Sequence, residues 1–369
     1  MTRRSNRLER RKKKRLDKKL EYIRQYNTFE QLSSYEHLYN AAIKASKGVS
    51  WKVSVQRYII NVMFRILETQ KELFKGDDVR KGFIEFDINE RGKTRHIKSV
   101  HFSERVVQKS LCTNVLYPIF SKSLIYDNGA SQKNKGTFFA IKRLEKHLRN
   151  HYKKYGNNGY ILLIDFKNFF ENINHDILKS IYRKMITDTR LLKYIDDFVD
   201  DFGDKGLGLG SETSQLHAIL YPNAIDHYIK EVLKIKGYGR YMDDSYIICE
   251  DKNKLKEIYN IIKQKYIEYD IKINDKKTYI TDIKHGFKFL KTRFYLTDTG
   301  KIIKKPLRKN ITYLRRKIKK QIKLMNNNIM DKKQIEISFK SWYGHLIHCN
   351  SNKSRNSLKN ILKDCFKIL

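Results

Sequence analysis

The stretch 239-GRYMDDSYIICE-250 decides how the rest of the chain is read. Two adjacent aspartates, Asp243 and Asp244, stand between residues that favour strands: Arg240 and Tyr241 before them, Tyr246, Ile247 and Ile248 after. Neighbouring carboxylates repel, and placing them beside apolar strands costs solvation. A lone Asp-Asp pair in a hairpin is most often an ordinary solvated turn. The reading changes only if other parts of the chain bring a further acid, and a cation, to the same place.

Working outward, 236–250 reads as a hairpin with the aspartates near its turn. Upstream, 160-YILLIDFKNFF-170 opens as a near-continuous apolar strand that ends with Asp165. A helix follows, with Asn174 as its cap. Between the two, 206-GLGLGSETSQ-215 is a glycine-rich lead-in to a helix running to about residue 233. Downstream, Leu255, Ile258, Tyr259, Ile262 and Tyr266 fall at helical spacing. Strands are expected at 271–273 and again after Lys277. The order strand–helix–helix–strand–strand–helix–strand is that of a ferredoxin-like sheet. If its strands are neighbours, Asp165, Asp243 and Asp244 converge. Like charges converge where a cation neutralises them, and oxygen-only donors suit Mg²⁺. Two such ions stabilise the attacking and leaving oxygens of an in-line phosphoryl transfer.

The flanks are basic. The 369 residues carry 78 Lys+Arg against 40 Asp+Glu, a formal charge of +38. An excess that large needs an anionic partner in a compact protein, so nucleic acid leads and a membrane surface follows. Lysine-rich composition inflates the number without explaining its placement. Residues 1–25, including 10-RRKKKRLDKKLEYIRQ-25, form a basic arm, either a helix on a phosphate backbone or a solvated tail. Residues 35–75 read as helices, with Leu38, Ala41, Ala42, Val55, Ile59, Val62, Ile66 and Leu67 at helical spacing. The stretch 83–100 reads as two strands around Arg91-Gly92, its tip basic through Lys93, Arg95 and Lys98. A helix over 103–120 takes Ser103 as its N-cap. In the last 65 residues or so, Ile311, Leu314, Ile318, Ile322 and Met325 make an apolar stripe. Arg315, Arg316, Lys317, Lys319 and Lys320 fill the opposite face, either solvated or laid along a phosphate backbone.

Other signals are weak. The four cysteines are far apart with no CxxC pair, which fits a reducing cytosol and a cytoplasmic location. His345, His348 and Cys349 in 345-HLIHC-349 lack a fourth ligand at zinc spacing. No apolar run follows the N-terminal charge and none is long enough to span a bilayer, so neither a signal peptide nor a membrane segment is expected.

Taken in order, YMDD after an apolar strand, Asp-x-x-x-Phe-Phe 78 residues upstream and G-x-x-x-S between them resemble a reverse transcriptase. The resemblance runs from roughly Leu38 to Phe294, with a looser match beyond. It implies an α+β right-hand polymerase with fingers, a ferredoxin-like palm and a helical thumb, plus a basic N-terminal helical extension. The expected parts are extension 1–75, fingers 76–159, palm with part of the fingers 160–303 and thumb 304–369. It implies Asp165 and Asp243 as metal-binding aspartates, Asp244 as the third acid and the backbone carbonyl of Phe166 as a further ligand. Phe170, five residues after Asp165, matches the ring that excludes a ribose 2′-OH, while Phe169 is expected in the core. Gly210 and Ser214 match the motif beneath the nascent base pair. Lys277, in 274-NDKKT-278, matches a proposed general acid for pyrophosphate, although a surface lysine reads almost as well. The run 287-FKFLKTRF-294, with Phe289, Leu290 and Lys291, looks like a primer grip, and Tyr241 and Met242 lie on the same template–primer side. Arg95 and Arg105 match basic fingers positions, and Lys133 or Lys135 in 128-NGASQKNKGT-137 stands where relatives hold the triphosphate with arginine.

Two departures narrow the resemblance. Leu209 stands where most of the family has Gln, and Gln215 where Pro is usual. L-G-x-x-x-S-Q looks like the bacterial reverse transcriptases of diversity-generating retroelements and defence-associated relatives. The implied partners are dNTPs, a DNA product and an RNA template, a structured non-coding RNA in the defence case, with an accessory protein or a homo-oligomer as further possibilities. The implied cofactor is two Mg²⁺ ions, with Mn²⁺ as a substitute. Nothing after the thumb reads as an RNase H, integrase or endonuclease domain. The rival from another class is a non-catalytic RNA-binding protein on a polymerase fold, against which the three intact aspartates argue.

Overall fold

The computed structural model describes residues 3–90 and 92–366. Arg91 of the expected turn, the side chain of Lys93 and that of Cys365 lie outside the described residues. In chain order the elements are α1 (Arg3–Tyr26), α2 (Phe29–Ser33), α3 (Tyr35–Ser46), α4 (Val53–Ile60), α5 (Val62–Lys75), β1 (Phe83–Glu90), β2 (Lys93–Val100), α6 (Phe102–Leu111) and α7 (Tyr117–Ser123). Then come α8 (Thr137–Tyr155), β3 (Tyr160–Asp165), α9 (His175–Tyr182), α10 (Thr189–Asp200), α11 (Glu212–Leu220), α12 (Asn223–His227), β4 (Tyr238–Tyr241) and β5 (Asp244–Cys249). The chain closes with α13 (Lys252–Glu268), β6 (Tyr279–Asp282), β7 (Phe287–Phe289), β8 (Thr292–Leu296), β9 (Ile302–Pro306), α14 (Arg308–Asn326), α15 (Lys332–Leu346) and α16 (Asn352–Phe366).

The chain divides into two compact units. The first comprises Met1–Gly136, Phe166–Lys234 and Ile261–Asn274; the second comprises Thr137–Asp165, Ile235–Asn260 and Asp275–Leu369. The second unit holds the four-stranded sheet, in the order β4-β5-β3-β6, and every pairing is antiparallel. With β3 first in the chain, this is the ferredoxin-like order expected from the sequence. Ile161 and Leu163 pack with Tyr246 and Ile248 against Ala140, Ile141, Leu144 and Leu148 of α8. The alternate residues Leu162, Ile164 and Ile247 are buried as well, which is why β3 reads as a continuous apolar run. The same core takes in Phe287, Phe289, Phe294 and Leu296 of the small sheet β7-β8-β9. Farther along, Ile311, Leu314 and Ile318 of α14 pack with Ile335, Leu346, Leu358 and Leu362 into a three-helix bundle, with Ile322 and Met325 at its margin.

In the first unit, α3, α4 and α5 bury Leu38, Ala41, Ala42, Val55 and Ile66, as the periodicity predicts. Leu67 is exposed, and Ile59 and Val62 are half-buried. The hairpin β1–β2 pairs Phe83 with Val100 through Glu90 with Lys93.

Four local expectations need correction. The helix expected over 103–120 starts at Phe102 with His101 as N-cap, because the His101 ring accepts from the Ser103 N–H. It widens into a π-helical turn at Cys112–Leu116, just before Pro118, whose missing N–H cannot continue an α-helical ladder. The helix expected through residue 233 breaks at Pro222 for the same reason and ends in a π turn, Tyr228–Val232. Residues 271–273 are not a strand: only Ile273 makes an isolated bridge, to Phe166, after Asp270 turns the chain with a φ of 56°.

Candidate active site

The sheet of the second unit places the acids by register. Asp165, the last residue of β3, is the Cα partner of Asp244, the first residue of β5. Asp244 is in turn opposite Tyr241 of β4, so the turn of that hairpin is Met242-Asp243. Met242 takes a φ of 54°, the left-handed conformation a two-residue hairpin turn demands. One antiparallel ladder therefore sets three carboxylates at one end of one sheet.

Their electrostatics follow from that placement. Asp165 is buried at 8% exposure, and its backbone N–H donates to Thr278 Oγ1 at 3.2 Å. Lys277 Nζ lies 2.9 Å from both carboxylate oxygens of Asp165. That bond raises the Lys277 ammonium above its ordinary value, with the charges of Asp165, Asp243 and Asp244 adding to it. Burial pushes the Asp243 carboxyl up, and the charge of Asp165 adds to the rise. Burial pushes Asp244 further, to about 7, with Asp243 and then Asp165 as further causes. The cluster thus balances part of its excess negative charge against a lysine.

Arg240 is a buried cation beside the acids that sequence reading passed over. It is 1% exposed, directly before the acidic turn, and its Nη1 donates to the Met242 carbonyl at 3.1 Å. Its charge also pulls Asp243 down. An arginine three residues before an Asp-Asp pair was the available signal. Thr278 was missed too, although it adjoins Lys277.

Among the described residues no group of three His, Cys, Asp or Glu side chains is gathered tightly enough to hold a metal ion. The donor chemistry nevertheless fits a hard divalent ion: the charge of Asp165 raises the proton affinity of Asp243 and, with Asp243, that of Asp244, and an ammonium already bridges both oxygens of Asp165. The alternative cluster does not fit. His348 stacks on Phe138 at 4.1 Å, and Cys349 is a buried free thiol beside Thr292.

The remaining residues of the second unit lie as follows. Tyr241 is half-buried, its hydroxyl 3.4 Å from Thr137 Oγ1. Phe289 is buried edge-on to Tyr246, at 5.1 Å between ring centres. Leu290 and Lys291 form the β7–β8 turn, with φ of 44° and 62°. On α14, Arg316 and Lys319 are exposed, whereas Arg315 is half-buried and donates to Ser357 Oγ at 3.1 Å.

In the first unit, Phe166 stacks edge-on to Tyr266 at 4.9 Å. Phe169 is buried at 6%, while Phe170 is half-buried. Gly210 has a φ of 102°, which only glycine adopts without strain, and it shares a cavity of about 390 Å³ with Arg105, Lys44, Lys52 and Lys98. Arg105 also donates to Ser99 Oγ at 3.0 Å. Leu209 is half-buried. Ser214 is buried with no partner for its hydroxyl, and Gln215 accepts from Ser131 Oγ at 3.2 Å. Arg95 stands opposite Ile88 in the hairpin. Lys133 and Lys135 are not at that cavity. Lys133 lies over the Tyr117 ring, and Lys135 donates to the carbonyls of Tyr126 and Asn128.

The profile of the family described as "Reverse transcriptase (RNA-dependent DNA polymerase)" matches residues 80–294, more than half of the chain. No curated protein matches the chain in sequence. Among solved structures, the apo telomerase of Candida tropicalis truncated from its C-terminal domain is similar at 15% identity and a TM-score of 0.49, over 60% of this chain and 55% of that one. The apo telomerase of Candida tropicalis is similar at 14% identity and a TM-score of 0.48, over 62% and 49%. The chain thus matches about half the length of each of these telomerase chains. Among the described residues no helix is long and apolar enough to cross a membrane.

Proposed function

The chain belongs to the reverse transcriptase family, the RNA-dependent DNA polymerases, and from that premise we propose that it copies RNA into DNA by metal-dependent nucleotidyl transfer at Asp165, Asp243 and Asp244. The observation that carries this reading is the register of Asp165 opposite Asp244, with Asp243 in the adjoining turn and Lys277 against Asp165. Mg²⁺ is the ion assigned to these carboxylates and the Phe166 carbonyl; when bound, a pair of such ions neutralises charge on the attacking and leaving oxygens. The aspartates stand at one fixed end of the sheet, so little reorganisation is needed when a primer 3′-hydroxyl attacks the α-phosphate of a dNTP. Lys277, partly exposed and paired with Asp165, is assigned to give a proton to departing pyrophosphate. Phe170 is assigned to sugar selection, Leu209 and Gly210 to the base pair, and Arg95, Arg105, Lys133 and Lys135 to the triphosphate. The extension is assigned to residues 1–75, the fingers to 76–159, the palm with part of the fingers to 160–303 and the thumb to 304–369. Ser214, Gln215, Tyr241, Met242, the Phe289–Lys291 turn and the basic face of α14 are assigned to template and primer.

The template assigned here is a structured non-coding RNA or a template repeat, because Leu209 and Gln215 replace residues usual in the family. Sequencing the nucleic acid that co-purifies with the protein, and the DNA made when dNTPs are added, tests this. A defined RNA with complementary DNA supports the reading. Bound RNA with no DNA product favours a binding protein on the polymerase fold.

A further inference from the structure

The second unit holds a cavity of about 790 Å³ away from the aspartates of the sheet, at the junction of β9 with α14 and at the turn between α15 and α16. Lys305, Arg308, Arg315, Lys353 and Arg355 line it, and no acidic residue is among its lining. Five cations around one cavity repel one another, and the partners of the two inner arginines are neutral. Arg315 Nη2 donates to Ser357 Oγ at 3.1 Å, and Arg355 Nη2 donates to Asn352 Oδ1. The Nε of each arginine is buried without any hydrogen-bond partner. An unsatisfied buried donor of this kind is destabilising until it meets an acceptor.

A third set of donors meets the same cavity. The helix α16 starts at Asn352, and Asn352, Lys353 and Ser354 of its first turn all line the space. First-turn N–H groups have no partner within their helix, and that end carries the positive pole of the helix dipole. Two orphaned guanidinium N–H groups, five positive charges and a helix start lack one thing, a compact anion with several acceptor oxygens. The volume is in the range of pockets that hold discrete ligands.

We propose that this cavity is a phosphate-binding site. Its ligand is a phosphate group, supplied either by the backbone of a nucleic-acid strand or by a free polyphosphate. The anion chemistry stands without the polymerase reading; a strand as its source rests on that reading. A site of this kind differs from a merely basic surface, because fork-shaped N–H groups bond phosphate in a way a lysine cannot reproduce.

The test uses the full chain, a fluorescein-labelled RNA–DNA hybrid followed by anisotropy across a salt series, and pyrophosphate followed by thermal shift. The charge-conserving Arg355→Lys is expected to weaken hybrid binding about tenfold, the loss of one hydrogen bond to a charged group. Lys353→Gln, at an exposed position that does not bear on folding, is expected to reduce the slope of log K against log salt by about 0.7–0.9. Loss confined to the pyrophosphate arm assigns the site to a free polyphosphate instead. Wild-type behaviour of both variants in both arms overturns the proposal. Neither arm requires chemistry, so a protein that fails to extend primers but loses hybrid affinity on Lys353→Gln refutes the polymerase reading and keeps this one.

Discussion

Two carboxylates in this protein are pushed up to about 7, Asp244 in the second unit and Glu104 in the first, and they get there differently. Glu104 is 1% exposed on α6; burial raises it and the charge of Asp201 adds to the rise, while bonds from the Lys81 N–H at 3.1 Å and the Gln108 amide at 2.8 Å partly offset it. Asp244 is only half-buried, and the charges of Asp243 and Asp165 add to its burial. A cost that comes from desolvation is met by hydrogen bonds and belongs to the fold. A cost that comes from like charges is met by a cation, and a sheet that keeps it has a use for the cation. At nearly the same proton affinity, hydrogen bonds from Lys81 and Gln108 offset the rise at Glu104, whereas at Asp244 the charge of Lys277 opposes it.

The strongest way to break the comparison is to neutralise one acid in each unit. Asp243→Asn removes one charge at nearly constant shape. Primer extension should fall by several orders of magnitude while hybrid binding persists, since binding rests on the basic surface. Glu104→Gln should instead act on stability. A carboxyl raised from 4.5 to about 7 is protonated more in the folded state, so its contribution is fully present below 4.5 and lost as pH rises through 7. Urea unfolding of the wild type should lose about 3 kcal/mol of stability over that window from this group, and the variant should show a flatter profile. An unchanged pH profile would remove Glu104 from the comparison.

Smaller effects sharpen the first unit's share in recognition. Phe170→Ala should admit rNTPs, relieving a clash of about 1–3 kcal/mol, with a modest fall in dNTP use. Unchanged sugar discrimination would place Phe170 with Phe169 in the core. Leu209→Gln offers a hydrogen bond of about 0.5–1.5 kcal/mol near the incoming base, so misincorporation should drop two- to tenfold. Equal error spectra, read opposite each template base, would show that position 209 does not set fidelity; a slower enzyme with no gain in accuracy would mean the amide is buried without a partner.

The acidic site was legible because its three aspartates sit at the ends of apolar runs, and strand pairing turns that spacing into a position. The ferredoxin-like order followed from the same runs. What escaped reading depends on side chains meeting across long separations. The Lys277–Asp165 pair joins residues 112 apart, and nothing local in 274-NDKKT-278 points to Asp165. Arg240 looked like any strand-edge arginine until its burial was seen. The π turns, Cys112–Leu116 just before Pro118 and Tyr228–Val232, keep helical periodicity, so a periodic pattern reads through them as one helix. Residues 271–273 have strand composition but only one partner, and composition cannot supply a second.

We propose that the aspartates at one end of this sheet carry RNA-templated DNA synthesis. The most direct test is extension of a 5′-labelled DNA primer annealed to an RNA template, with dNTPs and Mg²⁺, by the wild type and by Asp165→Asn side by side. DNA complementary to the RNA, made by the wild type and absent with the variant, is the predicted result. Extension by both proteins alike, or by neither with Mg²⁺ or Mn²⁺ while the hybrid stays bound, would contradict it.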